Sequence, residues 1–288
     1  MNWDTHDISN QYDELTDYNL YSTDAPLREA IARAGAGWAD EALQGYGAKL
    51  GNGQTWQWAA LANKHDPEFD AFDARGRRVD RVEFHPSWHE LMRLHREAGS
   101  VSMAFREPRQ AGRWTAWAAH FYMEGQVEAG SMCPLSMTQA SIPVLSKEPG
   151  LWAKYGEKLM SNSYDSRDLP IEQKSSIWIG MGMTEKQGGS DVRANTTTAT
   201  PIGAGVRGGE YLIRGHKWFF SAPMCDAHLV VARTADGGPS CFFVPRWKPD
   251  GTKNPVRIQR LKEKVGNRSN SSSEVEFQDA WGILMGEE

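Results

Sequence analysis

The apolar positions of this chain change period about half-way along. In TDAPLREAIARAG, Leu27, Ala30, Ile31 and Ala34 recur at helical spacing; Thr23 or Asp24 can cap, and Pro26 suits a first turn. The same period returns in WQWAALANKH, in HPSWHELMRLHREAG through Trp88, Leu91, Met92 and His95, and in WTAWAAHFYMEGQVEAG through Trp114, Trp117, Phe121 and Val127. These segments predict an all-helical first half. SMCPLSMTQASIPVL, residues 131–145, is apolar but broken by Pro134 and Pro143, which predicts a helix with irregular ends. LMSNSYDSRDLP then reads as a polar connection.

Beyond it the runs shorten and fill with aromatic and β-branched residues: EYLIRGHKWFFS, HLVVART, SCFFVPRW, PVRIQRL and SEVEFQDA, separated by GG, DGGP, KPDG and GNRSN. Helices followed by strands predict an α+β chain. The expected division is an acidic arm over 1–26, a helical domain over 27–165 and a β domain over 176–282, with the break between 160 and 176. No internal repeat or long low-complexity tract interrupts this order.

Charge narrows the partners. The 32 Lys and Arg stand against 37 Asp and Glu, a net charge of -5, and the first 27 residues carry Asp4, Asp7, Asp13, Glu14, Asp17 and Asp24 with no Lys or Arg. Such a chain is expected to repel a phosphate backbone, so DNA binding is disfavoured. Cys133, Cys225 and Cys241 have no CxxC spacing, which predicts no zinc site or disulfide framework, and a reducing cytoplasm is the simplest location. No apolar run approaches the ~20 residues of a membrane span. The twelve tryptophans lie mostly at helical spacing in the first half, where packing is their expected task.

Several candidate sites weaken on inspection. His85 and His89 are four apart, but His85 precedes Pro86 at a helix boundary and no third ligand is near, so a metal site is not expected. Cys133, Ser136 and Thr138 have no local base and no nucleophile-elbow context. WIGMGMTEKQGGSDVRANTTTATP, residues 178–201, is different: Gly180, Gly182, Gly188 and Gly189 allow close backbone approach, and Thr184 and Ser190 add hydroxyls. It has neither Rossmann nor P-loop spacing, and as a bare pattern a glycine turn between strands accounts for it better. GHKWFFS, residues 215–221, reads either as a wall for a planar ring or as the core of a β structure.

In their order, GMTEKQGGSD, GHKWFFSAP, DAHLVVARTADGGPSCFFVPR and KEKVGNRSNSSSEVEFQDA resemble the middle domain of acyl-CoA dehydrogenases. GMGMTEKQGGSD, GNRSNSS, NLYSTDAPLREAIARAGAGW and EFHPSWH point to the branch of that family associated with DNA alkylation damage. The resemblance covers essentially the whole chain. It implies an antiparallel, β-barrel-like middle domain, FAD as cofactor, and an FAD-dependent oxidoreductase acting on CH–CH bonds of an acyl-CoA-like substrate. Met181, Gly182, Met183, Thr184, Gly189 and Ser190 would lie along the flavin edge, and Trp218, Phe219, Phe220 and Ser221 would form its wall, Thr184 and Ser221 donating to the ring. Fixed donors favour hydride acceptance because the reduced ring gains negative charge.

Family members continue into a C-terminal helical bundle that carries the proton-abstracting carboxylate and most homo-oligomer contacts. ILMGEE falls where that bundle is expected to begin, and Glu185, though in the flavin loop, is not the family's base. The expectation is therefore flavin binding with no catalytic residue in this chain and without the full reaction. The alternative is a non-catalytic partner-binding or protective module of an alkylation response.

Overall fold

The computed structural model describes residues 5, 9–235 and 238–287. Asp4 and Asp7 of the acidic arm, and Asp236 and Gly237 of the DGGP turn, lie outside the described residues.

The first half is built on α1 (Ala25–Arg33), α2 (Asp40–Gly51), α3 (Gly53–Lys64), α4 (Pro86–Glu97), α5 (Arg113–Val127), α6 (Met132–Leu145) and α7 (Pro149–Met160). Local chemistry sets these starts. The Leu27 N–H donates to Asp24 Oδ1 at 2.9 Å with Pro26 in the first turn of α1, and the Gln54 N–H donates to Asn52 Oδ1 at the start of α3. In α6, Pro134 occupies the first turn and Pro143 the last, so neither proline breaks the central ladder.

The all-helical expectation fails between α3 and α4. A hairpin of β1 (Glu68–Phe72) and β2 (Arg78–Glu83) pairs antiparallel there. Its alternation of Phe69 and Val82 with charged neighbours is a strand period, and both side chains pack against the core within the main sheet. Asp80 joins it to the second half: Arg78 and Arg257 pair with its carboxylate, which also accepts from the Ile258 N–H at 3.1 Å.

The second half comprises β3 (Ile179–Gly182), β4 (Thr198–Pro201), β5 (Glu210–Phe220), β6 (Ala227–Arg233), β7 (Pro239–Pro245), β8 (Val256–Leu261) and β9 (Ser273–Met285). They form one seven-stranded sheet in the order β3-β6-β4-β5-β9-β7, with β8 on β9 and β6 also pairing β7. This corrects the purely antiparallel expectation: β3 and β4 both run parallel to β6, the other pairs are antiparallel, and the sheet is mixed. Parallel pairing requires the chain to cross over before it returns, and the connection 183–197 does so after β3. ILM of ILMGEE is part of β9, not the beginning of a helix.

Alternate residues of β6 and β7 serve two cores. Val230, Ala232, Phe242 and Val244 face Tyr211, Ile213, Phe220 and Phe277 of neighbouring strands. Leu229 and Phe243 instead meet Leu91, Leu135, Ile142, Tyr155 and Leu159 from α4, α6 and α7. A third cluster joins Leu20, Tyr21, Ile31, Leu43, Leu50 and Met123 among α1, α2 and α5. Arg96 ties the halves together. Fully buried, it donates to the carbonyls of Lys158, Leu159 and Ser161 at the end of α7 and to Ile177 O before β3.

Candidate cofactor seat at the end of β3

β3 is pressed into its neighbours. A Cβ on Gly180 would lie 2.4 Å from His228 Cδ2, and one on Gly182 would lie 2.7 Å from the Phe220 ring. These two glycines therefore admit protein side chains, not a ligand. Past Gly182 the chain turns tightly: the Glu185 N–H donates to Gly188 O at 3.2 Å, and the Gly188 N–H returns to Glu185 O at 3.1 Å. Gly189 backs onto Thr184, whose Oγ1 would lie 2.6 Å from an added Cβ.

Glu185 anchors this loop. Its Oε1 accepts from Lys217 Nζ at 2.8 Å and from the Thr197 N–H at 3.0 Å. Its Oε2 accepts from the Thr196 N–H at 2.7 Å, Thr196 Oγ1 at 3.0 Å and Gln187 Nε2 at 2.8 Å. Burial by itself would raise the carboxyl's pKa, but the Lys217 ammonium and the Thr196 and Thr197 donors outweigh it and hold the acid far below its usual range. Burial draws the Lys217 ammonium below its ordinary value, with Glu185 opposing. A permanently ionised carboxylate with both oxygens engaged is a poor proton acceptor, so the geometry gives Glu185 a positioning role.

The loop is pinned further by the Trp218 N–H donating to Thr184 O at 2.9 Å, the Lys186 N–H donating to His216 Nε2 at 3.0 Å, and Asn195 Nδ2 donating to Met183 O at 2.9 Å. An isolated bridge pairs Met181 with Ser221. Thus Met181, Met183, Thr184 and Ser221 gather where β3 and β5 end. Met183 and Phe219 are about half exposed, at 49% and 53%, and Ser190 is exposed nearby in the chain.

Two members of the expected wall have protein neighbours on their rings, as Phe219 also has in Lys262 at 4.5 Å. Phe220 is fully buried between His228 and Phe277, because a register shift between Lys217 and Phe220 turns both inward. Trp218 lines a groove with Lys186, His216, Gln259, Glu274 and Glu276, and its ring carries Lys262 at 3.8 Å, Lys186 at 4.8 Å and Arg260 at 5.8 Å. The exposed ring of this strand is Phe219.

Cys133, Ser136 and Thr138 are placed by packing. The Cys133 thiol is raised by burial, against hydrogen bonds to Ser221 and Asn270 that lower it. Ser136 Oγ donates to Cys133 O, and Thr138 Oγ1 accepts from the Ile179 N–H at 3.1 Å, fastening α6 to β3. His85 caps α4 through Ser87 N–H and stacks on His65 at 4.8 Å, while His89 Nδ1 lies 2.6 Å from Tyr164 Oη. Sequence reasoning missed the reach of Asn195 and the Thr196–Thr197 donors into this loop; the run of threonines after an acid was the available signal.

The residues fit a planar ring with a polar edge. Met183 and Phe219 expose apolar surface, and Thr184 and Ser221, close to them along the chain, are partly exposed.

Residues 10–166 match the family model "Adaptive response protein AidB N-terminal domain", and residues 180–280 match "Acyl-CoA dehydrogenase, middle domain". The chain is 50% identical over 287 residues to the putative acyl-CoA dehydrogenase AidB of Escherichia coli K12, covering 99% of this chain and 52% of that protein. It therefore spans about half the length of that relative. Its fold matches Caenorhabditis elegans ACDH-11 in complex with C11-CoA at a TM-score of 0.82, with 23% identity, over 99% of this chain and 49% of that one. An acyl-CoA dehydrogenase from Bacillus anthracis complexed with FAD matches at 0.56, with 15% identity, over 96% and 40%.

Proposed function

Because the chain belongs to the AidB branch of the acyl-CoA dehydrogenase family, we propose that it provides the flavin seat of an FAD-dependent oxidoreductase acting on the CH–CH bond of an acyl-CoA-like substrate. The observation that carries this reading is the half-exposed pair Met183 and Phe219, close along the chain to the partly exposed Thr184 and Ser221, on a loop held by the buried Glu185–Lys217 pair. In this reading Met181, Met183 and Phe219 contact the isoalloxazine, and Thr184 and Ser221 donate to its edge. Ser190 reaches toward the phosphate side. Bound FAD supplies a hydride acceptor.

The chain's own contribution is orientation. Five donors on Glu185 fix the loop backbone, so the Thr184 and Ser221 hydroxyls need little reorganisation when negative charge develops on a ring beside them. Glu185 does not move a proton. The carboxylate that does so in this reading belongs to sequence that relatives carry beyond the matched half.

Titration of the purified chain with FAD, followed by quenching of flavin fluorescence and by visible absorption, tests the seat. A saturable complex that weakens at least about tenfold in a Thr184→Ala, Ser190→Ala double variant is expected, two lost polar contacts at about 1 kcal/mol each. No flavin signal for the unaltered chain, or unchanged affinity in the variant, would refute it.

A further inference from the structure

Ser269, Asn270, Ser271 and Ser272 of the GNRSNSS run, and Ser273 at the start of β9, are all buried. Consecutive polar side chains in a protein interior are costly unless they are bonded. The bonds of this segment reach both halves of the chain. Ser269 Oγ donates to Glu128 Oε1 at 2.6 Å, in the turn between α5 and α6. Ser271 Oγ lies 3.6 Å from Met224 Sδ, and Ser273 Oγ donates to Phe220 O at 2.8 Å. Ser271 and Ser273 thus hold the chain on either side of Ser221.

Glu128 anchors the segment on the helical side. It is 2% exposed, and both of its oxygens are engaged. Besides Ser269, Oε1 accepts from the Gly130 N–H at 2.8 Å and from Asn63 Nδ2 at 3.0 Å, while Oε2 accepts from the Ser131 N–H at 2.7 Å. Burial alone would raise the carboxyl's pKa, but Ser269 and the Ser131 and Gly130 N–H groups hold it below its usual value. The fit leaves little slack, because a Cβ on Gly130 would lie 1.7 Å from Ser269 Oγ.

Two routes lead from Glu128 to Ser221. Through the Gly130 and Ser131 N–H groups it fixes the start of α6, whose first turn carries Cys133. Through Ser269 it fixes Asn270, the next residue. The Cys133 thiol meets both Ser221 and Asn270, so the routes converge. A buried polar network of this kind specifies one arrangement, where apolar packing of the same surfaces would tolerate sliding.

We propose that Glu128 is a positioning residue for the flavin seat: by clamping residues 269–273 and the start of α6, it sets where the Ser221 hydroxyl points. This rests on the reading of Ser221 as a donor to the flavin edge. Glu128 acts through Cys133, Asn270 and the segment's bonds to Phe220 and Met224, and takes no part in the chemistry.

Three single variants separate positioning from stability. Glu128→Gln keeps the shape but turns an amide N–H toward one of the donors. Ser269→Ala, milder, removes only the link to the β half and carries the test should Glu128→Gln unfold. Asn63→Ala removes another bond to Glu128 while leaving Ser269 in place. Without flavin, amide hydrogen exchange at Phe220, Ser221 and Met224 is expected to quicken at least about tenfold in the first two variants and to stay unchanged in Asn63→Ala. With FAD, the first two are expected to bind about fivefold more weakly, the worth of one neutral hydrogen bond, and to shift the flavin absorption maximum. Asn63→Ala should do neither. Unchanged exchange in Ser269→Ala overturns the clamp. FAD affinity and absorption unaltered in Glu128→Gln and Ser269→Ala overturn the positioning role while the seat stands, and equal changes in Asn63→Ala reduce Glu128 to a structural residue. An unaltered chain that takes up no FAD overturns the seat, and the positioning role with it, whatever the exchange shows.

Discussion

Glu185 Oε1 and Lys217 Nζ meet at 2.8 Å with both side chains fully buried, joining residues 32 apart in the chain. Breaking such a pair from one side leaves a charge in a dry interior. Lys217→Met should therefore destabilise the chain by about 3–5 kcal/mol, and Glu185→Gln by less, because the amide keeps an acceptor for the Thr196 or Thr197 donors. Urea unfolding of the two single variants and of the double variant measures this. A double variant no more stable than the sum of the singles would show that the two side chains are not coupled.

The same pair gives an acid limb to stability. The Glu185 pKa is lower in the folded than in the unfolded chain, so its contribution is present above the unfolded value near 4.3 and is lost as pH falls below it. Glu185→Gln should flatten the stability profile below about pH 4 relative to the unaltered chain. Unfolding free energies measured from pH 5 to pH 3 would reveal an unchanged slope if this assignment is wrong.

Two buried imidazoles act in a higher window. Burial lowers His120 to about 4 and His228 to about 3, while the unfolded chain takes up protons near 6.5. The unfolded state then binds more protons between those values, so stability falls as pH drops from 6.5 toward 4. Linkage gives a loss of about 2 kcal/mol per histidine at pH 5 relative to neutral pH. His228→Gln should remove about half of that slope, which denaturant titrations at pH 7 and pH 5 will measure.

Arg96 serves four carbonyls from three directions, a task for a planar fork. Arg96→Lys keeps the charge yet cannot reach all four, and should cost at least about 2 kcal/mol, while Arg96→Met should cost more because every carbonyl loses its donor. Thermal unfolding should show a lowered midpoint in both, larger in the second. Equal midpoints would mean that water replaces the guanidinium at no cost.

Gly180→Ala should destabilise by about 1–3 kcal/mol, because the new methyl meets the His228 ring, whereas Gly203→Ala has open space and should be near neutral. Comparing their urea midpoints separates strand packing from any general effect of glycine replacement.

Much of this molecule was legible residue by residue. The Asp24 cap and Pro26 announced α1, and the continuous apolar run of HLVVAR announced a strand buried on both faces. The helix α2 escaped notice because Gly45, Gly47 and Gly51 dilute its pattern. At least one glycine there is a packing requirement, since a Cβ on Gly51 would lie 1.6 Å from Tyr18 O. The hairpin at 68–83 carried a visible alternation, but a five-residue strand between helices gives a short signal that long helical runs on either side outweigh.

At the proposed cofactor seat, local sequence determined the turn chemistry, the hydroxyls and the aromatic strand, because these depend on residue type and short-range spacing. Tertiary structure alone decided which of them face outward. A register shift sends Phe220 inward, three cations take the Trp218 ring, and three of four glycines turn out to receive neighbouring side chains. The surroundings of Glu185 were also set only by folding. A carboxylate becomes a base or an anchor according to how many donors surround it, and its donors come from residues 187, 196, 197 and 217, which only the closed sheet brings to one place.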